Sequence, residues 1–402
     1  MARVLYVSQY FVSADQPGGA RHWRHTRALV AAGHQVSVVT SFVQHKERAI
    51  PERYQGRRVV RTAEDGLDVW RVYATPGYGS DARSRARNYA SFVPWALVAA
   101  MRAPRPDVVV ASSPPLTAAA AGAAVATARR ARFVFEVRDL WPESAVATGL
   151  VSDPRVIRVM DLMARACERR ADRAVALTEG IRDGLVARGI SPARISLITN
   201  GADLDLAPNG AAPVPVPESA FVAMFVGQHG TYGALHTVLD AADRLRADER
   251  VRFVLVGGGD RKPALVEEAA RRGLSNVTFV DPVPRREVPA WLARADVCLL
   301  PYQDSPLFAG ALPNKTFDYL GAGRPIVAAV PEGELSALVR RAACGIPVPP
   351  EDGAAMAAAV RRLADDPAAA ARMGADGAAY VREHYDRADL AARFVSLVES
   401  LA

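Results

Sequence analysis

A lysine and an aspartate stand three residues apart in "LPNKTFDYLGAGRP", at Lys315 and Asp318. A helix opening at "PN", with Asn314 as its N-cap, puts Lys315 in the first turn. The i, i+3 spacing then sets both side chains on one face. A cation at a helix start is disfavoured by the peptide dipoles, and a nearby anion offsets this. A lysine for phosphate and a carboxylate for a ribose diol are the two grips that a nucleoside diphosphate needs. A plain Lys315–Asp318 ion pair is the competing reading.

Other stretches carry similar residue types. Gly18 and Gly19 precede a helix in "QPGGARHWRH", with His22 in its first turn. Glycines let a ligand approach the backbone, and a helix start offers unpaired N–H groups, so a phosphate or sugar fits there. An ordinary loop-to-helix turn explains the same residues. "FEVRDLWPES" crowds Glu136, Arg138, Asp139 and Glu143 beside Trp141, which reads as site chemistry or as a salt-bridged loop. "MFVGQHGTYG" holds Gly227, Gly230 and Gly233 around His229, a side chain that titrates near neutrality or serves a structural role. Gly257, Gly258 and Gly259 in "VLVGGGD" imply close approach of something to the backbone, or a turn. "TNGAD" places a tight Asn200-Gly201 turn before Asp203, a position suited to a hinge.

These stretches follow short β-branched runs. The strands expected are Val4–Val7, Val36–Thr40, Val69–Tyr73, Val108–Ala111, Phe133–Val137, Ala174–Leu177 and Ile195–Ile198, then Phe221–Val226, Val251–Val256, Val277–Val280, Val297–Leu300 and Ile326–Val330. Amphipathic stretches separate most of them. Continuous apolar strands alternating with helices predict an α/β fold of doubly wound parallel sheets. The proline-rich "APNGAAPVPVPES", Ala207–Ser219, reads as a linker. The division expected is therefore 1–205 and 206–385, with 386–402 packing back on the first domain.

The composition narrows the function classes. The 402 residues carry a formal charge of +7, but the arginines are scattered, which argues against a nucleic-acid footprint. Three distant cysteines, Cys167, Cys298 and Cys344, form no disulfide frame or zinc motif and suit a reducing compartment. The N-terminus has no signal-peptide pattern, and no apolar run reaches the roughly 18 residues of a spanning helix. Together these point to the cytoplasm.

Taken in order along the chain, Gly18-Gly19, "TNGAD", the loop after "MFVG" and "LPNKTFDYLGAGRPIV" resemble the retaining, nucleotide-sugar-dependent glycosyltransferases of family 4, of GT-B architecture. "ASSPPL" and "FEVRDLWPES" look like the subgroup that builds bacterial surface polysaccharides and lipid-linked saccharides, often from N-acetylated amino sugars. The resemblance implies two Rossmann-like domains facing across a cleft, with a UDP-sugar held mainly by the second, as co-substrate rather than tightly bound cofactor, and no metal. Donor-binding residues would be Gly18, Gly19, Gly227, His229, Gly257, Gly258, Val283, Asn314, Lys315 and Asp318. Asp139, Arg138 and His22 would serve catalysis from the first domain. Asp318 matches the last acid of the family's Glu-x7-Glu element, while Gly310 stands at the first. The family's Arg and Lys after the first strand of the second domain are also missing, because no Lys or Arg occurs from Gln228 to Asp243. His229, backbone N–H groups and Lys315 would have to supply positive potential instead.

The acceptor would be lipid-linked or a saccharide. In "SRARNYASFVPWALVAAMRAPRP" Arg85, Arg87, Arg102 and Arg105, with Arg83 just before, flank an apolar stretch with Trp95, which suits peripheral contact with the inner membrane face or a buried helix. A soluble natural-product acceptor, a UDP-sugar epimerase or hydrolase, and a non-catalytic nucleotide-sugar sensor are the rival functions on the same scaffold.

Overall fold

The computed structural model describes residues 1–12, 21–43, 49–76, 82–204, 210–230 and 232–402. The described residues fall into two compact units, 1–199 with 388–402, and 200–387. Gly18 and Gly19 lie outside the described residues, as do the first residues of the expected linker.

The first unit is built on eight strands: β1 Arg3–Val7, β2 Gln35–Ser41, β3 Val59–Glu64, β4 Leu67–Val72, β5 Val108–Ser113, β6 Arg132–Val137, β7 Arg173–Ala176 and β8 Ile195–Leu197. Their order is β3-β4-β2-β1-β5-β6-β7-β8. All neighbours are parallel except β3 and β4, which form an antiparallel edge hairpin. Every residue of β5 is buried, as a central strand covered on both faces must be. The alanine-rich helix Leu116–Arg129 lies on that strand. A Cβ at Gly122 would come 2.4 Å from the Ala111 Cβ, so small residues are what let this helix sit so close.

The helix Ala82–Arg102 spends its apolar side chains on the same core. Phe92, Ala96, Ala99 and Ala100 are buried there, and Trp95 packs against it. Of the two readings of 83–105, the buried helix therefore accounts for the apolar half. The helix Arg387–Glu399 buries Leu390, Phe394 and Val398 with Val4, Tyr6 and Val38 of the first sheet.

The second unit has six strands: β9 Phe221–Val226, β10 Val251–Val256, β11 Val277–Val280, β12 Val297–Pro301, β13 Ile326–Ala329 and β14 Gly345–Val348. Their order is β11-β10-β9-β12-β13-β14, parallel throughout. Ala212, Val214 and Val216, in the proline-rich stretch, pack against this unit's core rather than running free. Among the described residues no helix is long and apolar enough to cross a membrane.

Both sheets reverse direction at an inner strand. In the first unit the chain winds from β1 toward β2 on one side and returns to β5 on the other. In the second, β9 lies between β10 and β12. Open parallel sheets bind ligands beyond the carboxyl ends of the strands at such switch points.

Candidate functional site

In the second unit the switch point is occupied by Lys315. Its helix, Asn314–Gly321, starts beyond the ends of β9 and β12. The Nζ lies 4.4 Å from the centre of the Phe225 ring and 5.8 Å from that of Tyr302. A Cβ on Gly227 would sit 3.1 Å from the same nitrogen, so a glycine there keeps the space open. Burial lowers the ammonium pKa to about 8, against the opposing pull of Asp318. Among the described residues Lys315 Nζ has no hydrogen-bond or ion-pair partner.

The competing reading, an i, i+3 ion pair between Lys315 and Asp318, is therefore not what forms. Asp318 Oδ1 accepts instead from Arg285 Nη2 at 3.2 Å, and the same nitrogen reaches Asp203 Oδ2 at 3.2 Å. Arg387 Nε lies 3.1 Å from the other oxygen of Asp203. Arg285 holds the Asp318 carboxylate in place, yet it is 33 residues away in sequence, on a short turn after β11. No periodicity or dipole signal in its own segment singles it out. Val283, on the same connection, packs against the unit's core.

Asn314 is not the N-cap. Pro313 occupies that position and Asn314 is the first helical residue. Its Oδ1 is buried with no partner among the described residues, as are Thr316 Oγ1 and both ring nitrogens of His229. Unpaired buried polar atoms are costly, so these are free to hydrogen-bond something polar.

His229 is fully buried, 5.7 Å from the Phe225 ring centre and 6.2 Å from that of Phe279. Burial, then Lys262 and Lys315, push its pKa down to about 4. It is neutral at physiological pH, which corrects the expectation that it adds positive potential; it can offer one N–H. Lys262, unremarked in the sequence, donates to Val280 O at 2.9 Å and Asp281 Oδ1 at 2.7 Å.

The glycine run is also reinterpreted. A Cβ on Gly257 would fall 1.9 Å from Gly227 O, and one on Gly259 2.3 Å from His229 O. The backbone that approaches these glycines is the 227–230 loop itself. His229 N donates to Gly258 O at 2.9 Å and locks the two loops together. Gly227 and Gly257 thus shape the site, and Gly258 stands against Pro282.

The first unit places His22 at its own switch point. Ser8, just after β1, meets His22 Nδ1 at 3.1 Å, and Ser112 of β5 meets Nε2 at 3.2 Å. Glu136 Oε2 lies 3.2 Å from that Nε2, and its Oε1 accepts from Arg21 Nε at 2.8 Å. The Tyr6 hydroxyl donates to Glu136 Oε2 at 3.1 Å. Burial would raise the Glu136 pKa, but Arg21, His22 and His25 outweigh it and hold the carboxyl well below its usual range. Burial lowers the His22 pKa despite Glu136.

The four charges of "FEVRDLWPES" divide. Glu136 lies on β6 and Arg138 just beyond its end. Arg138 Nε donates to the same Ser112 Oγ at 3.0 Å and Nη2 to Pro114 O at 2.7 Å. It forms no ion pair among the described residues. Asp139 is exposed and likewise unpaired among the described residues. Glu143 is taken by Arg188, which also binds Glu168 at 2.5 Å, so for Glu143 the salt-bridged loop is the right reading. His22 and Arg138 are thus joined through Ser112, while Asp139 and Glu143 are not part of that cluster. No group of three or more potential metal ligands occurs among the described residues.

Two family models match the chain. Residues 18–201 fit the glycosyl transferase 4-like domain, and residues 220–366 fit the glycosyl transferases group 1. The chain belongs to the GT-B glycosyltransferases. This glycosyltransferase is 26% identical over 353 residues to the putative colanic acid biosynthesis glycosyl transferase WcaI of Escherichia coli strain K12, covering 83% of this chain and 85% of that protein. Its fold superposes on sucrose-phosphate synthase of Thermosynechococcus elongatus with a TM-score of 0.78 at 19% identity, covering 100% and 99% of the two chains. The Anabaena protein HepE, solved with UDP-glucose, matches at a TM-score of 0.72 and 17% identity, covering both chains completely.

Proposed function

We propose that this glycosyltransferase moves a sugar from a nucleoside diphosphate sugar, a UDP-sugar in the simplest case, to a hydroxyl of a lipid-linked or saccharide acceptor. The proposal includes retention of anomeric configuration and no metal requirement. One observation carries it: an unpaired, half-buried lysine with a lowered pKa at the switch point of the second sheet, beside a carboxylate fixed by arginine. The structural likeness to a UDP-glucose complex supports the same donor class.

In the reaction the bond from the anomeric carbon to the diphosphate oxygen breaks, and a bond to the acceptor oxygen forms. The diphosphate leaves with the electron pair, and its departing oxygen takes the proton that the acceptor hydroxyl gives up. Lys315 Nζ meets the charge growing on that diphosphate. Fixed donors aimed at developing charge are among the largest catalytic contributions, and losing one costs about 10²–10³ in rate. Asp318, held by Arg285, takes the ribose hydroxyls. Neutral His229 and the amide of Asn314 are left to hydrogen-bond the donor. Gly227, Gly257 and Gly258 keep its site open, with Val283 alongside. Gly18 and Gly19 are retained as donor contacts from the sequence. On the first unit, Arg138 and Asp139 are the side chains proposed to meet the substrates, with His22 positioning Arg138 through Ser112.

Lys315→Ala should weaken UDP binding by at least about tenfold, the loss of one charge-assisted hydrogen bond, measured by calorimetry. Unchanged UDP affinity would remove the lysine, and with it this assignment of the donor site.

A further inference from the structure

The helix Pro154–Arg170 in the first unit is two-sided in an unusual way. Its inner face is ordinary: Met160, Ala164, Cys167 and Glu168 are buried, with Glu168 paired to Arg188. Its outer face is not. Nine large apolar side chains are exposed among the described residues, and three of them lie on this one helix: Val156 at 45%, Val159 at 55% and Leu162 at 55%. Their i, i+3, i+6 spacing puts them on one strip. The others are scattered singly, as exposed apolar residues commonly are.

Arginines border the strip. Arg155, Arg158, Arg165 and Arg169 are all exposed. Arg165 is bonded to Asp161 at 2.8 Å, but Arg155, Arg158 and Arg169 form no side-chain ion pair among the described residues. With about 100° of rotation per residue, Arg158, Arg165 and Arg169 follow one flank of the apolar strip. The exposed face thus combines apolar side chains with an excess of cations.

The charge decides what covers it. A second copy of this chain meeting the face by two-fold symmetry would bring each unpaired arginine toward the same cluster on its partner. A surface of closely spaced anions with an apolar layer beneath satisfies both parts of the strip. We propose that the outer face of the helix Pro154–Arg170 docks on an anionic bilayer, with Val156, Val159 and Leu162 entering the headgroup boundary and Arg155, Arg158 and Arg169 meeting lipid phosphates. This goes beyond the donor chemistry proposed above, and a lipid-linked acceptor would be met on the same surface. It also differs from the 83–105 stretch, whose apolar residues are buried in the core.

The test is flotation of the full chain with phosphatidylcholine vesicles and with mixed phosphatidylcholine–phosphatidylglycerol vesicles, at low and high salt. The parent should float with the anionic vesicles, and less so as salt rises. Val159→Asp with Leu162→Asp should abolish flotation. Arg155→Gln, Arg158→Gln and Arg169→Gln combined should reduce partitioning on the order of 100-fold, since each arginine near an anionic surface contributes roughly fivefold. All variants should keep the parent's UDP affinity and thermal midpoint, which separates failure of this surface from failure of the donor site. Two results overturn the proposal. One is flotation of the double aspartate variant equal to that of the parent. The other is a parent dimer in light scattering that this variant splits, since a second copy would then be the occupant.

Discussion

The two switch points hold opposite kinds of charge. In the first unit Arg21, His22, Glu136 and Tyr6 form a closed circuit: the carboxylate is fully buried and both its oxygens are engaged. In the second, Lys315 points at rings and glycines, with no partner for its nitrogen among the described residues. A closed circuit at a strand end holds strands and helix in register. An open one leaves a cation available to a ligand from outside. The same topological position is closed on itself in one half and left open in the other, as the proposed donor site requires.

The largest effect should come from opening the closed circuit. Glu136→Gln leaves the Arg21 guanidinium buried without a counter-charge, which costs about 3–5 kcal/mol. Urea unfolding of the first unit should shift by that amount, and an unmoved midpoint would mean the circuit contributes nothing. A smaller loss should follow Gly257→Ala, because the new methyl meets Gly227 O at a position with φ of +142°. Strain there costs on the order of 1–3 kcal/mol. It should also displace the 227–230 loop and weaken UDP binding, leaving the first unit's unfolding unchanged. Weaker UDP binding with no change in the second unit's stability would instead make Gly257 a direct ligand contact.

The smallest effect is in pH. Lys315 has a pKa of about 8 without ligand, and a bound diphosphate must raise it. Binding then takes up a proton above that value. UDP affinity contributed by Lys315 should be complete below about pH 8 and fall by at most tenfold per pH unit above it, until the raised pKa is passed. Lys315→Arg should flatten this fall because a guanidinium stays charged. A parent profile already flat to pH 9.5 would show that Lys315 is not beside the diphosphate.

What the sequence disclosed depended on whether the cause was local. Strands β1 and β5 were legible because both faces are buried and the residues are β-branched. Strand β3, "VVRTAE", was missed because it is an edge strand whose outer residues are polar. Strand β14, "GIPV", was missed because it starts with glycine and contains proline, a composition that argues against a strand except at an edge. Lys315 was legible because a cation in a first helical turn is an anomaly by itself. Arg285 is ordinary in its own segment and becomes meaningful only when the fold brings it to Asp318. The glycine run announced a close approach, but only the fold identifies the approaching backbone.

The ring of Phe394 stacks on His25 at 4.1 Å, and the helix Arg387–Glu399 closes a cluster that includes β1. The ribosome makes β1 before the other described strands and this helix only after all fourteen of them. Until then the nascent first unit carries an uncovered apolar face while the second unit is being translated, so chaperone holding during translation should matter more for the half that emerges first.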